Sequence, residues 1–171
     1  MLRALKLELT EIHLEKWVWL KNNYIEMKTA PPENTIVCGI VGKYFDNLDS
    51  YKSLFEALDV AAIHNKRFVK LKHIHGENYQ PSELDECDCI LVPGGFGVRG
   101  TEGMVNAIKY ARTKNIPFFG ICLGMHLAIV EYARNVCGIK DAMSQEFDPK
   151  TKEPVIYLLT EFLDRQGMVQ Q

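Results

Sequence analysis

Pro117-Phe118-Phe119-Gly120-Ile121-Cys122-Leu123-Gly124-Met125-His126 is the stretch from which the rest of the chain can be read. The apolar run Ile116 to Ile121 predicts a short buried strand and Leu123 onward predicts a helix, so Cys122 falls at the turn between them. A strand that turns straight into a helix at an outward-aimed side chain leaves no room for Cβ atoms two residues to either side. Gly120 and Gly124 supply that room. This is a nucleophile elbow with cysteine in place of serine. A thiol at the start of a helix meets unpaired N–H groups and the positive end of the helix dipole, which favour the nucleophilic thiolate. The Leu123 N–H then faces an oxyanion formed on attack. A buried structural cysteine between two packing glycines is the alternative reading of the same residues.

A second apolar run, Cys89-Ile90-Leu91-Val92, ends in Pro93-Gly94-Gly95-Phe96-Gly97. A strand followed by a glycine-rich loop exposes backbone N–H groups, which cradle a phosphate or form the other half of an oxyanion hole. The chain has neither Gly-x-x-x-x-Gly-Lys nor a Gly-x-Gly-x-x-Gly opening a helix, so beside the elbow the oxyanion reading leads over a phosphate site or a plain tight turn.

Composition bounds the remaining possibilities. The chain has 171 residues and 47% hydrophobic content, one domain's worth with enough apolar mass for a core. A net charge of -2 gives no electrostatic case for nucleic acid or an anionic membrane. No run approaches the roughly 18 apolar residues of a membrane span, and Lys6, Glu8, Glu11, Glu15 and Lys16 interrupt any signal-peptide core, so a cytoplasmic protein is expected. Five cysteines, an odd number, fit free thiols in a reducing compartment.

Along the chain, Leu2, Leu5, Leu9 and Ile12, then Trp17, Leu20, Tyr24 and Ile25, have amphipathic helix spacing up to Lys28, and Pro31-Pro32 closes that segment. From Thr35 strands alternate with helices. Strands are predicted over Thr35 to Val41, Arg67 to His75, Cys89 to Val92, Ile116 to Ile121 and Val155 to Leu159. Helices are predicted over Ser50 to His64 with Asp49 or Ser50 as N-cap, Glu102 to Lys114, and Leu123 to Val136. The pattern predicts an α/β fold, a parallel sheet with helices on both faces and ligands at the carboxyl ends of the strands. Cys87-Asp88-Cys89 and His73-Ile74-His75 are scattered pairs rather than four ligands at zinc spacing, so no metal site is expected. Cys38 and Cys137 read as core residues, and Glu146 to Glu153 as a solvated loop.

The elbow and the glycine loop together resemble the class I glutamine amidotransferase domain, and the phrases around them narrow the resemblance to the CTP synthase family. Those phrases are Gly42-Lys43-Tyr44, Asp49-Ser50-Tyr51-Lys52-Ser53, Leu91-Val92-Pro93-Gly94-Gly95-Phe96-Gly97-Val98-Arg99-Gly100, Gly120-Ile121-Cys122-Leu123-Gly124-Met125 and Ser144-Gln145-Glu146-Phe147-Asp148-Pro149. The resemblance implies that Cys122 is the catalytic nucleophile, that the N–H groups of Gly95 and Leu123 form the oxyanion hole, and that Gly95, Phe96, Leu123, Gly124, Met125, His126 and Glu146 meet L-glutamine, with Glu146 at its amino group. It implies a glutaminase that supplies ammonia to a synthetase domain, where ATP with Mg²⁺ drives the amination of UTP to CTP in pyrimidine nucleotide biosynthesis. GTP is the family's effector, for which the loop Val98-Arg99-Gly100 is a candidate. The resemblance further implies a homo-oligomer, and no cofactor within this chain.

Two departures from the family pattern stand out. His126 occupies the position after Gly-Met where the family usually has glutamine, one helical turn from Cys122. The family's His-x-Glu base motif lies far downstream of the nucleophile, whereas His126 is the one histidine after Cys122 here. Without that base, water is not activated for thioester hydrolysis. The expectation is therefore a fragment truncated at both ends, inactive alone, with residues 1–32 as a linker from a missing synthetase domain and 33–171 as a partial amidotransferase domain. Three alternatives stay open: a catalytically dead module that binds full-length CTP synthase, a cysteine-elbow redox relative, and a glutaminase that uses His126 as base.

Overall fold

The structure, a computed structural model, describes residues 13–29 and 32–157. The chain divides into two compact units, one of residues up to Thr35 with Ser53–Val69, the other of Ile36–Lys52 with Lys70 onward. The expected α/β class is what is observed.

The main sheet has four strands, β1 (Thr35–Gly42), β2 (Phe68–His75), β3 (Cys89–Val92) and β4 (Phe118–Gly120), in the order β2-β1-β3-β4. In β1, every residue from Cys38 to Gly42 is buried, the continuous run of a strand covered on both faces rather than the alternation of a half-exposed one. β1 pairs with β3 in parallel, Cys38 opposite Cys89 and Ile40 opposite Leu91, and β3 pairs with β4 in parallel, Val92 opposite Gly120. The chain goes from β1 to β2 on one side and then returns to β3 on the other. The carboxyl ends of β1 and β3 therefore flank the crevice where strand order reverses, the place where open α/β sheets bind ligands.

Two helices of the larger unit, α3 (Thr101–Lys114) and α4 (Leu123–Asn135), pack on each other and on β3 and β4. Their buried stripes, Met104, Ile108 and Ala111 on α3 with Leu123, Leu127 and Val130 on α4, join Val41, Ile74, Ile90 and Val92 of the sheet in one core. Arg112 of α3 grips the buried Glu131 carboxylate of α4, with Nη2 donating to Oε1 at 2.8 Å and Nε to Oε2 at 3.0 Å. A separate two-stranded parallel sheet, β5 (Ala142–Ser144) and β6 (Glu153–Ile156), follows α4, and Arg134 Nε donates to the Ala142 carbonyl at 2.8 Å. In the smaller unit, α1 (Glu15–Lys28) and α2 (Lys52–Asn65) close a core of Met27, Ala62 and Ile63 with Leu20, Phe68 and Val69.

Several local expectations change. α2 begins at Lys52 because a 3₁₀ turn over Leu48–Tyr51 takes up Asp49 and Ser50, the expected caps, and the Ser50 N–H donates to Asn47 O at 3.0 Å. The strand expected over Ile116 to Ile121 is shorter and not buried: β4 is last in the strand order and Phe119 is 62% exposed. Cys137, read as core, is exposed, because α4 has ended at Asn135 and the chain is turning into Gly138 at φ 75°. β5 was not foreseen, and the strand expected at Val155 starts earlier, at Glu153. The expected helical positions Leu2, Leu5, Leu9 and Ile12, and the strand positions Leu158 and Leu159, lie outside the described residues. Among the described residues, no helix is long and apolar enough to cross a membrane.

Candidate active site

β4 ends at Gly120 and α4 begins at Leu123, so Cys122 sits at the corner as the sequence predicts. Its φ of 50° and ψ of -102° lie where an L-residue is strained, at a cost of order 1–3 kcal/mol. The strain is held by close backbone approach on both sides. A Cβ on Gly124 would stand 2.1 Å from the Val92 carbonyl oxygen, and one on Gly120 would stand 2.6 Å from the Gly124 carbonyl carbon. Ile121 N–H donates to Val92 O at 3.0 Å and ties the corner to β3. The Cys122 side chain is exposed.

The loop after β3 lies against this corner. A Cβ on Gly94 would meet Cys122 Cβ at 3.7 Å, and one on Gly95 would meet Leu123 Cδ2 at 3.1 Å. Among the described residues, neither the Gly95 N–H nor the Leu123 N–H has a hydrogen-bond partner. The corner thus has an exposed thiol with a glycine loop packed against it and two backbone N–H groups left without partners; in acyl transfer, attack on a carbonyl carbon places negative charge on oxygen, which fixed N–H dipoles can stabilise.

The loop itself is tied down by Lys43 and Tyr44, to which the sequence assigns no role, and by Arg99 of the candidate effector loop. Lys43, just past the end of β1, is only 2% exposed, and its Nζ donates to the carbonyls of Phe96 at 3.0 Å and Gly97 at 2.7 Å. The Phe96 N–H donates to Tyr44 Oη at 3.1 Å. Arg99 Nη2 donates back to the Lys43 carbonyl at 2.7 Å, and its Nη1 to Glu77 Oε1 at 2.7 Å. Burial pulls the Lys43 ammonium below the usual lysine range, and the Arg99 charge adds to this while Glu146 and Glu77 oppose it. Lys43 and Tyr44 belong to a phrase already matched to a family. What gave no signal was burial, since a lone lysine after a strand ordinarily lies on the surface.

Of the remaining predicted residues, His126 and Glu146 are brought together across 20 positions of chain, with His126 Nδ1 4.0 Å from Glu146 Oε2. That nitrogen is buried and has no hydrogen-bond partner among the described residues. The Glu146 N–H donates to Oγ of the fully buried Ser144 at 3.2 Å, which fixes where the carboxylate begins. Phe96 and Met125 are not drawn in: they are 81% and 50% exposed, so any wall they form belongs to an open surface. Cys38, Cys87 and Cys89 gather around the start of β3, away from the carboxyl ends of the strands, and Cys38 and Cys87 are buried there. Among the described residues, no group of three or more histidine, cysteine or acidic side chains is arranged to hold a metal ion.

Residues 46–161 match the family described as Glutamine amidotransferase class-I. The chain belongs to the class-I glutamine amidotransferases. A solved structure of the same fold is the glutaminase domain of Trypanosoma brucei CTPS with bound acivicin, 34% identical, at a TM-score of 0.69. The alignment covers 77% of this chain and 53% of that one, so this class-I amidotransferase chain spans about half the length of the domain it resembles. The matched region contains the elbow, the glycine loop from Gly94, and the His126–Glu146 pair, while Lys43 and Tyr44 lie just before it.

Proposed function

We propose that this chain carries the nucleophilic part of a glutaminase of the CTP synthase type. The observation that carries the reading is Cys122, held at a positive φ at a corner against which the Gly94–Gly95 loop packs, with the Gly95 and Leu123 N–H groups left without partners among the described residues. Cys122 Sγ attacks the side-chain amide carbon of L-glutamine, and the carbonyl oxygen takes up the negative charge between the two N–H groups. The C–N bond then breaks, the departing nitrogen takes up the proton that the Cys122 thiol gives up and leaves as ammonia, and a glutamyl thioester remains on Cys122. Each oxyanion donor contributes roughly 3 kcal/mol to such a step. Glu146 receives the substrate's α-ammonium. His126 Nδ1 stands 4.0 Å from the Glu146 carboxylate and is closed to solvent. Gly124, Met125 and Phe96 contribute the outer edge of the same site.

The base that activates water for thioester hydrolysis is supplied by residues other than those described. Residues 33–171 form the glutaminase part, and 1–32 connect it to a synthetase domain, which uses the ammonia with ATP, Mg²⁺ and UTP to make CTP. GTP acts on the glutaminase through the Arg99 loop, and the assembled enzyme is a homo-oligomer of the cytoplasm. These steps rest on the likeness to CTPS and on the quoted phrases.

Acivicin, the ligand of the Trypanosoma structure, is the direct probe. We expect it to label Cys122 in preference to the exposed Cys137, with L-glutamine protecting. Equal labelling of the two cysteines, unaffected by L-glutamine, rules the reading out.

A further inference from the structure

We propose that Lys43 is a positioning residue for the oxyanion hole, holding the Gly95 N–H over Cys122 through the loop carbonyls of Phe96 and Gly97. The inference rests on the acyl-transfer reading of Cys122 and goes beyond it by assigning what sets the hole's geometry. Three successive peptide units after Gly95 are each pinned by the segment following β1. Tyr44 Oη takes the Phe96 N–H, and Lys43 Nζ takes the carbonyls of Phe96 and Gly97. The next peptide back carries the unpartnered Gly95 N–H, and the three that follow anchor it from its carboxyl side. The lysine stem also lies under the loop: a Cβ on Gly95 would stand 3.4 Å from Lys43 Cε and 3.4 Å from the Tyr44 ring. Arg99 closes the device from the other side by binding the Lys43 carbonyl.

A buried ammonium is costly, and a methionine of similar length would fill the space without that cost. The lysine is explained by what it holds. Gly94 and Gly95 have no side chains to fix their amides, and an oxyanion donor is effective only when it is fixed before the charge forms.

The test compares two reactions at the same sulfur. Acylation of Cys122 by p-nitrophenyl acetate passes through a tetrahedral oxyanion and uses the hole. Alkylation by iodoacetamide displaces iodide and does not. Their rate ratio therefore cancels the thiol's exposure and nucleophilicity, and site-resolved mass spectrometry gives the same ratio for Cys137, an exposed cysteine without a glycine loop. In the wild-type chain the ratio at Cys122 exceeds that at Cys137. In Lys43→Met it falls about tenfold or more, as misplacement of a donor by an ångström predicts, while alkylation stays within about twofold, which a general loosening of the fold would not allow. Tyr44→Phe, which removes one of the three pins, lowers the ratio roughly threefold and decides the matter if Lys43→Met does not fold. A wild-type ratio at Cys122 no higher than at Cys137 overturns the acyl-transfer reading itself. A raised wild-type ratio that the variants leave unchanged overturns the role of Lys43 alone.

Discussion

The two ends of the parallel sheet treat the same side chain in opposite ways. At the amino end of β3, Cys89 lies opposite Cys38 in the middle of β1, and the buried Cys87 sits just before β3 begins. The Cys38 thiol is pushed up by its hydrogen bond with Cys89 and by burial, and the Cys89 thiol is lowered by the same bond. At the carboxyl end, Cys122 is exposed at a strained corner, with glycines two residues to either side and the Gly94 loop against it. Cysteine as such does not make a nucleophile; in the proposed reading the backbone that presents it does, and the cost of that presentation is concentrated in a few residues around the corner.

The largest effect should come from closing the space behind the corner. Gly124→Ala sets a methyl group 2.1 Å from the Val92 carbonyl, where neither backbone can yield without moving α4 or β3. We expect a loss of at least about 3 kcal/mol in denaturant unfolding, or no folded protein. A variant within about 1 kcal/mol of wild type would mean the corner is not held by this contact.

The same substitution at the two ends should then have opposite signs. Cys122→Gly relieves the positive φ and should stabilise the chain by about 1 kcal/mol while removing the thiol. Cys38→Gly leaves a hole in a buried strand and loosens it, costing about 2 kcal/mol. Thermal melts of the pair check this, and a shared sign breaks the comparison.

A smaller effect distinguishes the ends by pH. The folded-state pKa of Lys43 lies below the ordinary lysine value, so the folded chain gives up that proton at a lower pH than the unfolded chain does. Below the folded pKa both states bind the proton and the cost of the buried charge is fully present. Between the folded value and the unfolded one near 10.4, the unfolded state binds more protons and stability rises with pH. Unfolding free energies of wild type and Lys43→Met, measured from neutral to alkaline pH, should therefore shift in favour of wild type as pH rises. The tyrosines that titrate in the same range are common to both chains. A constant difference would contradict a buried ammonium.

What the sequence disclosed was whatever local sterics dictate. Gly120 and Gly124 around Cys122 can be read because only glycine fits two residues either side of such a corner, and Cys89 to Val92 reads as a strand because four apolar residues run into Pro93 and Gly94. What it hid depends on tertiary placement. The run at Phe118 and Phe119 is as apolar as a central strand, yet the sheet order leaves Phe119 in the open. β5 has three residues and is defined by its partner β6 rather than by its own pattern. Cys137 reads as core from its apolar neighbours and is exposed because α4 stops at Asn135. Lys43 and the His126–Glu146 pair are each made by chain segments that meet only in the fold, across 53 and 20 positions.

The central claim is that Cys122 is the sulfur that takes an acyl group from glutamine. The most direct measurement is to incubate the chain with L-glutamine, quench in acid and read the mass of each cysteine peptide. The account predicts one glutamyl group, on the Cys122 peptide, absent from Cys122→Ala. A folded chain whose Cys122 stays unmodified at saturating glutamine, or whose glutamyl group is found on another cysteine, would contradict it.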